Sequence, residues 1–371
     1  MVEYEQSKGQ KLSFKEPINP KLDVKIAESL IRKGDHEGYD IIEPLLLMEK
    51  QLDDKLKARL FLLAGICLKN QAEFEKALKF LKRALRLFKD QNSRAECLLQ
   101  MGITRRHDGD YHMALVDCYD ALRIWMKEKN NVSIGKCNSN IGFVYVRLGD
   151  HIMASQKLLH AKKLLEPRAR KDDTAQMELS LVYNYMAVNK MEDAENANHY
   201  LPKELLDIAV KLSEESANKR INTHNYFDLA RWHYFEHLRQ KKITKRTTGH
   251  DFNALNELDK ILEIIEGSHD IKKESGCYTL RGLIYLDQGK LPEAFKSLNK
   301  GYSLATKAHS AGFKNDSNEG LYMYYVRQEE PDYENAFKKL LEYHEGVMKL
   351  ESIRHSERIK VLKSELENRL N

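Results

Sequence analysis

A chain of 371 residues is too long for one small domain and long enough for two or three, or for one extended array. Hydrophobic residues at 42% and charged residues at 32% allow a buried core and exclude disorder throughout, while 18 glycines and 7 prolines supply too few turns for a many-stranded sandwich or barrel. The formal charge of +5, from 61 basic against 56 acidic residues, is too balanced to mark a nucleic-acid binder.

The first twenty residues, MVEYEQSKGQKLSFKEPINP, hold no apolar run of the length a signal peptide needs. Pro17 and Pro20 close this polar leader. Residues 1–23 are expected to form a flexible arm, with helical periodicity from Val24. No stretch approaches the roughly 18 consecutive apolar residues of a membrane-spanning helix. Cys67, Cys97, Cys118, Cys137 and Cys277 stand far apart without paired spacing and read as reduced thiols of a cytoplasmic protein.

From residue 24 the sequence is periodic. Gly65, Gly102, Gly142 and Gly282 are followed twelve residues later by Ala77, Ala114, Ala154 and Ala294. Nineteen residues after each come Ala84, Ala121, Ala161 and Gly301. Gly109, Gly149 and Gly289 stand seven after three of them, where a turn belongs. Ala194, Ala254 and Ala336 extend the ladder, so that from Ala77 the alanine steps are 37, 40, 40, 60, 40 and 42 residues. Two antiparallel helices approach to roughly 8–10 Å only where the contact residues are small, which explains glycine and alanine at fixed offsets. FEKALKFLKRALRLF repeats apolar residues every three or four positions, as an amphipathic helix does. The Gly-Asp pairs in HDGDYHMAL and RLGDHIMAS provide a turn and a capping carboxylate.

These residues resemble the tetratricopeptide repeat (TPR), in a longer form of roughly 40 residues per repeat. The resemblance covers about residues 24–345 and implies an all-α, TPR-type α-solenoid. It would be a right-handed superhelix of about seven or eight helix pairs, irregular around 195–250 and closed by a long C-terminal helix. KGDHEGYDIIEPLLLMEK (33–50) fits an opening repeat, with Gly34 at the turn and Tyr39 in place of the alanine.

In such arrays the first helix of each pair lines the concave wall. Counted from the glycines, the inward positions are Leu62, Ile66 and Lys69, then Leu99, Ile103 and Arg106, then Lys136, Ser139, Phe143 and Arg147, then Tyr183 and Met186. Asn140 lies on the same helix as Phe143, where its side-chain amide can bond a ligand's main chain through both groups. Peptide or protein binding is therefore expected at Arg106, Lys136, Asn140, Phe143, Arg147 and Tyr183, an apolar wall with a cationic fringe suited to a peptide carrying negative charge. For Leu62, Ile66 and Ile103 the alternative is ordinary packing between repeats. Leu62 and Ile66 also stand where the family's carboxylate-clamp subset carries Lys and Asn, which argues against a chaperone-tail cochaperone.

The long step between Ala194 and Ala254 includes RQKKITKRTTGH (239–250). Its Lys241, Lys242, Lys245 and Arg246 form one local basic patch, suited to an acidic protein partner or to solvent more than to nucleic acid. Just before it, residues 233–237 spell H-x-x-E-H, a zinc-peptidase pattern with both histidines on one helix face. The pattern falls within a repeat helix, where packing histidines are the favoured reading. Phosphate-loop, dinucleotide and nucleophile-elbow motifs are missing, so no catalytic residue, metal or cofactor is assigned.

Between Tyr333 and Asn371 there is no proline and one glycine, Gly346, which permits a helix about 58 Å long. Ala336, Leu340, Tyr343, Val347 and Leu350 form a seam for the last repeat, after which Ile359, Leu362 and Leu366 take up a displaced one. Residues 346–371 are read as a helical extension with coiled-coil character that can support a weak homodimer. They resemble the tails that lead from bacterial sensor arrays into an output domain. The leading functional expectation is a non-enzymatic regulatory module that binds a peptide or protein segment in its groove and relays it to a partner or output domain. The alternative is a Rap-like, peptide-controlled phosphatase or sequestering protein acting on response regulators. Rap-type receptors are of similar length but place a three-helix bundle ahead of their repeats, whereas here repeats are expected from residue 24.

Overall fold

The computed structural model describes residues 19–33, 37–193, 201–216, 218–244, 249–267 and 270–370, and no strand occurs among them. Gly34, Ala194, Lys245 and Arg246, like the arm before residue 19, lie outside the described residues. The α-helices of the described residues fall into eight consecutive pairs. These are α1 (Pro20–Arg32) with α2 (Glu37–Leu47), α3 (Asp54–Asn70) with α4 (Phe74–Leu87), α5 (Gln91–Asp108) with α6 (Tyr111–Lys127), and α7 (Asn131–Leu148) with α8 (His151–Leu165). They continue as α9 (Asp173–Glu192) with α10 (Leu201–Glu215), α11 (Lys219–Thr244) with α12 (His250–Ile264), α13 (Ile271–Asp287) with α14 (Leu291–Lys307), and α15 (Ala311–Val326) with α16 (Tyr333–Leu370).

Local chemistry sets the boundaries. Asn19 accepts a hydrogen bond from the Leu22 N–H and Pro20 takes the first turn, so α1 starts ahead of the expected Val24. Gly109 and Gly149 end α5 and α7 in the left-handed conformation, at φ of 92° and 74°. The carboxylates that follow them, Asp110 and Asp150, cap α6 and α8 by accepting from the Met113 and Met153 N–H groups.

Each repeat glycine sits where the two helices of a pair touch. A Cβ on Gly65, Gly142 or Gly282 would come within 2.6–2.8 Å of a leucine sixteen residues later, Leu81, Leu158 or Leu298, and one on Gly102 would meet the Cys118 sulfur at 2.6 Å. The even-numbered helices bury one stripe, as Ala77, Leu81 and Ala84 do on α4. The odd-numbered helices are buried nearly all round, because each lies between its own partner, its neighbours in the stack and a central cavity.

Between α9 and α12 the sequence pattern is irregular but the pairing is not. The small contact residue on α10 is Ala209, and the 26-residue α11 takes up part of the extra length. The expected basic loop is therefore helix as far as Thr244.

The stack curls back on itself. The Asn218 amide donates to the Arg32 carbonyl (2.6 Å) and the Lys219 N–H to the Lys33 carbonyl (3.2 Å), joining the start of α11 to the end of α1. At the other end, α16 runs unbroken through residue 345 and reaches α6 and α7. There Glu357, only 5% exposed, accepts from the His112 N–H at the start of α6 (2.9 Å). Arg354 donates to the Arg147 carbonyl (2.9 Å), and Val361 joins the core formed by α5 to α8. Both contacts span five helix pairs, so roughly five pairs complete one turn of the superhelix. The end of α16 docks on the array through Glu357 and Val361. Ile359 and Leu362, on the displaced seam, remain 41% and 55% exposed.

Candidate functional site

The superhelical turn encloses a cavity of about 740 Å³, walled by the odd-numbered helices. The repeat glycine fixes which residues face it. On α7 these are Lys136, Asn140, Phe143 and Arg147, which stand six and two before Gly142 and one and five after it. The same offsets from Gly65 give Arg59, Leu63, Ile66 and Asn70, and from Gly102 they give Glu96, Gln100, Ile103 and His107. On α9 the role of the glycine passes to Ser180, whose hydroxyl donates to the Ala209 carbonyl across the helix pair (2.8 Å). Counting from Ser180 places Thr174, Glu178, Leu181 and Tyr185 on the wall, and all four are there.

Five of the expected residues, Arg106, Lys136, Asn140, Phe143 and Arg147, are brought together in this cavity. Tyr183 is not. It is buried on the far side of α9, with the Lys162 ammonium over its ring and its hydroxyl donating to Glu166 (3.1 Å). α9 carries no glycine to fix the count, and the inward tyrosine is Tyr185, two residues on. Met186 packs in the core beneath, and Leu99 and Ser139 are likewise buried between helices. Leu62, Ile66, Lys69 and Ile103 do line the wall.

The side chains on the wall differ in how far they are committed. Lys136 lies between the Glu96 and Glu178 carboxylates, at 3.4 and 3.8 Å. Burial alone would lower its pKa, but the two carboxylates hold it up at about 12. Arg147 pairs with Glu192 at 3.3 Å. Asn140 donates one N–H to the Lys136 carbonyl (2.9 Å), which leaves its second N–H and its carbonyl oxygen for a ligand. Arg106, 9% exposed, has no carboxylate at ion-pair distance among the described residues and donates to the Tyr185 hydroxyl (3.4 Å). Its guanidinium lies 4.8 Å from the Phe143 ring centroid and 5.7 Å from that of Tyr185, and these two rings stack on one another at 4.1 Å. His224 meets the edge of Tyr185, and burial together with the nearby Lys273 pushes its imidazole down to about 3, so it stands neutral at pH 7.

Outside the cavity, Lys241 is bound to the Asp287 carboxylate (2.9 Å), which His237 also meets at 2.7 Å, while Lys242 is exposed. The H-x-x-E-H residues have separate partners: His233 meets His250 at 3.0 Å, His237 meets Asp287, and Glu236 accepts from Arg239 at 2.8 Å. No group of three or more side chains able to hold a metal ion occurs among the described residues. Wall residues missed in the sequence are Glu96, Glu178, Tyr185, Arg220, His224 and Lys272. Glu96, Glu178 and Tyr185 follow from the glycine offsets. The other three lie on α11 and α13, where only the closure of the superhelix brings them to the wall.

No protein-family model matches the chain, and no curated protein is matched by sequence. Solved structures do match. A Rap protein complexed with competence and sporulation factor superposes with a TM-score of 0.66 at 15% identity, over 91% of this chain and 89% of that one. Aspartyl phosphate phosphatase F from Bacillus subtilis gives 0.54 at 17% identity, over 91% and 85%. The Rap conjugation gene regulator of plasmid pLS20, in complex with the Phr* peptide, gives 0.50 at 12% identity, over 94% and 95%. This is a tetratricopeptide-type solenoid. The likeness covers nine tenths or more of this chain, and at these identities it is a likeness of fold.

Proposed function

We propose that the protein is a non-enzymatic regulatory module that binds a short peptide in the cavity of its superhelix. The observation that carries this reading is the cavity itself, enclosed within one superhelical turn and walled by successive odd-numbered helices. Its volume lies within the range of about 300–1,000 Å³ typical of ligand sites. Its wall mixes aliphatic and aromatic side chains with a few directed polar groups, as peptide grooves do. Two structures of the same fold are complexes, one with competence and sporulation factor and one with the Phr* peptide. Apart from the two contacts that close the superhelix, each repeat touches mainly its neighbours, so a ligand bridging several helices changes the pitch of the whole array and reports its presence at the surface. A partner or output domain that reads the pitch is the natural recipient. The five cysteines are free and buried, and no described helix is long and apolar enough to cross a membrane. We place the protein in the cytoplasm.

Mixtures of five-residue peptides test the reading. A bound peptide should raise the melting temperature and reduce the radius of gyration in small-angle scattering. A chain unchanged by every mixture would contradict it.

A second reading, action on response regulators by dephosphorylation or sequestration, is favoured by the fold shared with aspartyl phosphate phosphatase F. Loss of phosphate from a phosphorylated receiver domain incubated with the pure protein would establish the enzymatic version. Stable phosphate together with a co-eluting complex would establish sequestration.

A further inference from the structure

Ten Lys or Arg side chains line the cavity against six Asp or Glu. The acids are largely taken up in pairs: Glu28 with Arg59 and Arg32, Glu96 and Glu178 with Lys136, Glu192 with Arg147, and Asp228 with Arg231. Asp270 caps α13, accepting from the Lys273 N–H at 3.0 Å. Among the described residues five cations remain with no carboxylate at ion-pair distance: Lys273, whose ammonium lies over the Phe227 ring (4.8 Å), and the group of four Lys69, Arg106, Arg220 and Lys272.

These four come from distant parts of the sequence and gather at one end of the cavity. Lys69 and Arg106 sit in the last turns of α3 and α5, Arg220 and Lys272 in the first turns of α11 and α13. Arg220 follows directly on Asn218 and Lys219, the two residues that clasp α1, so the closure of the superhelix holds it opposite α3. Phe74 floors the cluster, stacked on His107 with its ring 5.9 Å from the Lys272 ammonium. His107, buried amid Arg106, Lys272, Lys69 and Arg220, is held well below its ordinary pKa and adds no counter-charge. Burial, then the neighbouring Arg220 and Arg106, likewise press the Lys69 ammonium toward neutrality. Lys69 donates to the Gln100 side-chain oxygen (3.2 Å) and Arg106 to the Tyr185 hydroxyl (3.4 Å), but like charges confined in a partly desolvated space repel, and a fold gains nothing from keeping four of them without a counter-charge. An anion arriving from outside would relieve all four at once.

We propose that Lys69, Arg106, Arg220 and Lys272 form an anchor that holds a carboxylate of a short, otherwise apolar peptide. The proposal rests on the peptide-binding reading and adds the charge and orientation of the ligand. Inorganic phosphate would satisfy the charge but would leave most of the cavity empty. Beyond the anchor the remaining charges of the wall are largely ion-paired and stand among Ile66, Ile103, Phe143, Leu181 and Val188, which suit a mainly aliphatic peptide. The carboxylate belongs either to an acidic side chain or to the peptide's own C-terminus.

Equilibrium binding to the full chain decides between these sources. The probes are mixtures of five-residue peptides, randomised over apolar residues, with one Glu, Gln or Lys and with the C-terminus free or amidated. Inorganic phosphate serves as the comparison. The anchor predicts at least tenfold tighter binding for carboxylate-bearing mixtures and a loss of affinity as salt rises. It also predicts at least a tenfold loss of affinity in K69Q/R106Q and in K272Q. Preference for Glu over Gln under an amidated C-terminus assigns the side chain, and preference for the free over the amidated terminus assigns the C-terminus. The same variants without peptide should melt at a higher temperature than the native chain, because repulsion has been removed; a purely structural role would lower it. Equal binding of Glu, Gln and Lys mixtures with free and amidated ends overturns the anchor while leaving peptide binding intact. Binding of phosphate with no peptide bound overturns both.

Discussion

At the scale of residues, the array is held by what glycine omits. Gly142 lets α7 approach α8 so closely that an added methyl would strike Leu158 at 2.8 Å and the Ala154 carbonyl at 3.3 Å. G142A is predicted to cost about 1–3 kcal/mol by overpacking, read as a lower midpoint in urea unfolding. Ala72 presents the opposite case. It occupies the αα turn between α3 and α4 at φ of 64°, where the later repeats have glycine. A72G should stabilise the chain by about 1 kcal/mol, because an L side chain is strained there.

His233 supplies a pH dependence. Burial first, then His250 and Lys203, push its imidazole down to about 4, with Asp207 acting weakly in the other direction. A folded-state pKa below the unfolded one means stability that is fully present above pH 6.5 and is lost as pH falls toward 4. The loss is about 2–3 kcal/mol at pH 4.5, and H233Q should flatten that limb of the stability curve.

These residues also show what the sequence makes legible. The glycines, the alanines twelve and nineteen residues later, and the Gly-Asp turns are spacings along one strand of text, and each has a direct steric cause in the fold. A leucine sixteen residues after three of the four glycines, Leu81, Leu158 and Leu298, is a further spacing with the same steric cause. Ser180 was hidden because a hydroxyl, bonded to the Ala209 carbonyl, does the work of a missing side chain. The count on α9 therefore lost its origin and pointed to Tyr183 in place of Tyr185.

Among the elements, α16 differs most from its expected role. The sequence shows a helix with two seams and leaves the second seam unpartnered. In the fold, the helix end returns to α6 and α7 through residues on neither seam, Arg354, Glu357 and Val361. Such a contact depends on the curvature accumulated over five helix pairs and has no local signature. Arg147 belongs to both regions: its guanidinium faces the cavity beside Glu192, and its carbonyl receives Arg354. Placing a charge at the docked position, as in V361D, should release the end of α16. The expected result is a stability loss of about 2–4 kcal/mol and a larger radius of gyration, with the helical content of the array retained. An unchanged radius would show that α16 does not hold the superhelix closed.

On the scale of the whole molecule, eight stacked pairs form one turn and more around a cavity whose two sides meet only because the chain closes on itself. Self-association belongs at this scale too. Ile359 and Leu362 remain exposed on α16, and we propose that they pair weakly between two copies, with a dissociation constant in the micromolar range. Sedimentation at tens of micromolar should show a dimer for the native chain and a monomer for I359K/L362K; equal masses would remove the pairing.

The central claim is that the cavity is the binding site. Hydrogen exchange of the full chain, with and without the Glu-containing peptide mixture, tests it most directly. The account predicts added protection in α5, α7, α9 and α11, and at the junction of α16 with α6 and α7, with the outer faces of α8 and α12 unchanged. Protection confined to the even-numbered helices, or none at saturating peptide, would contradict it.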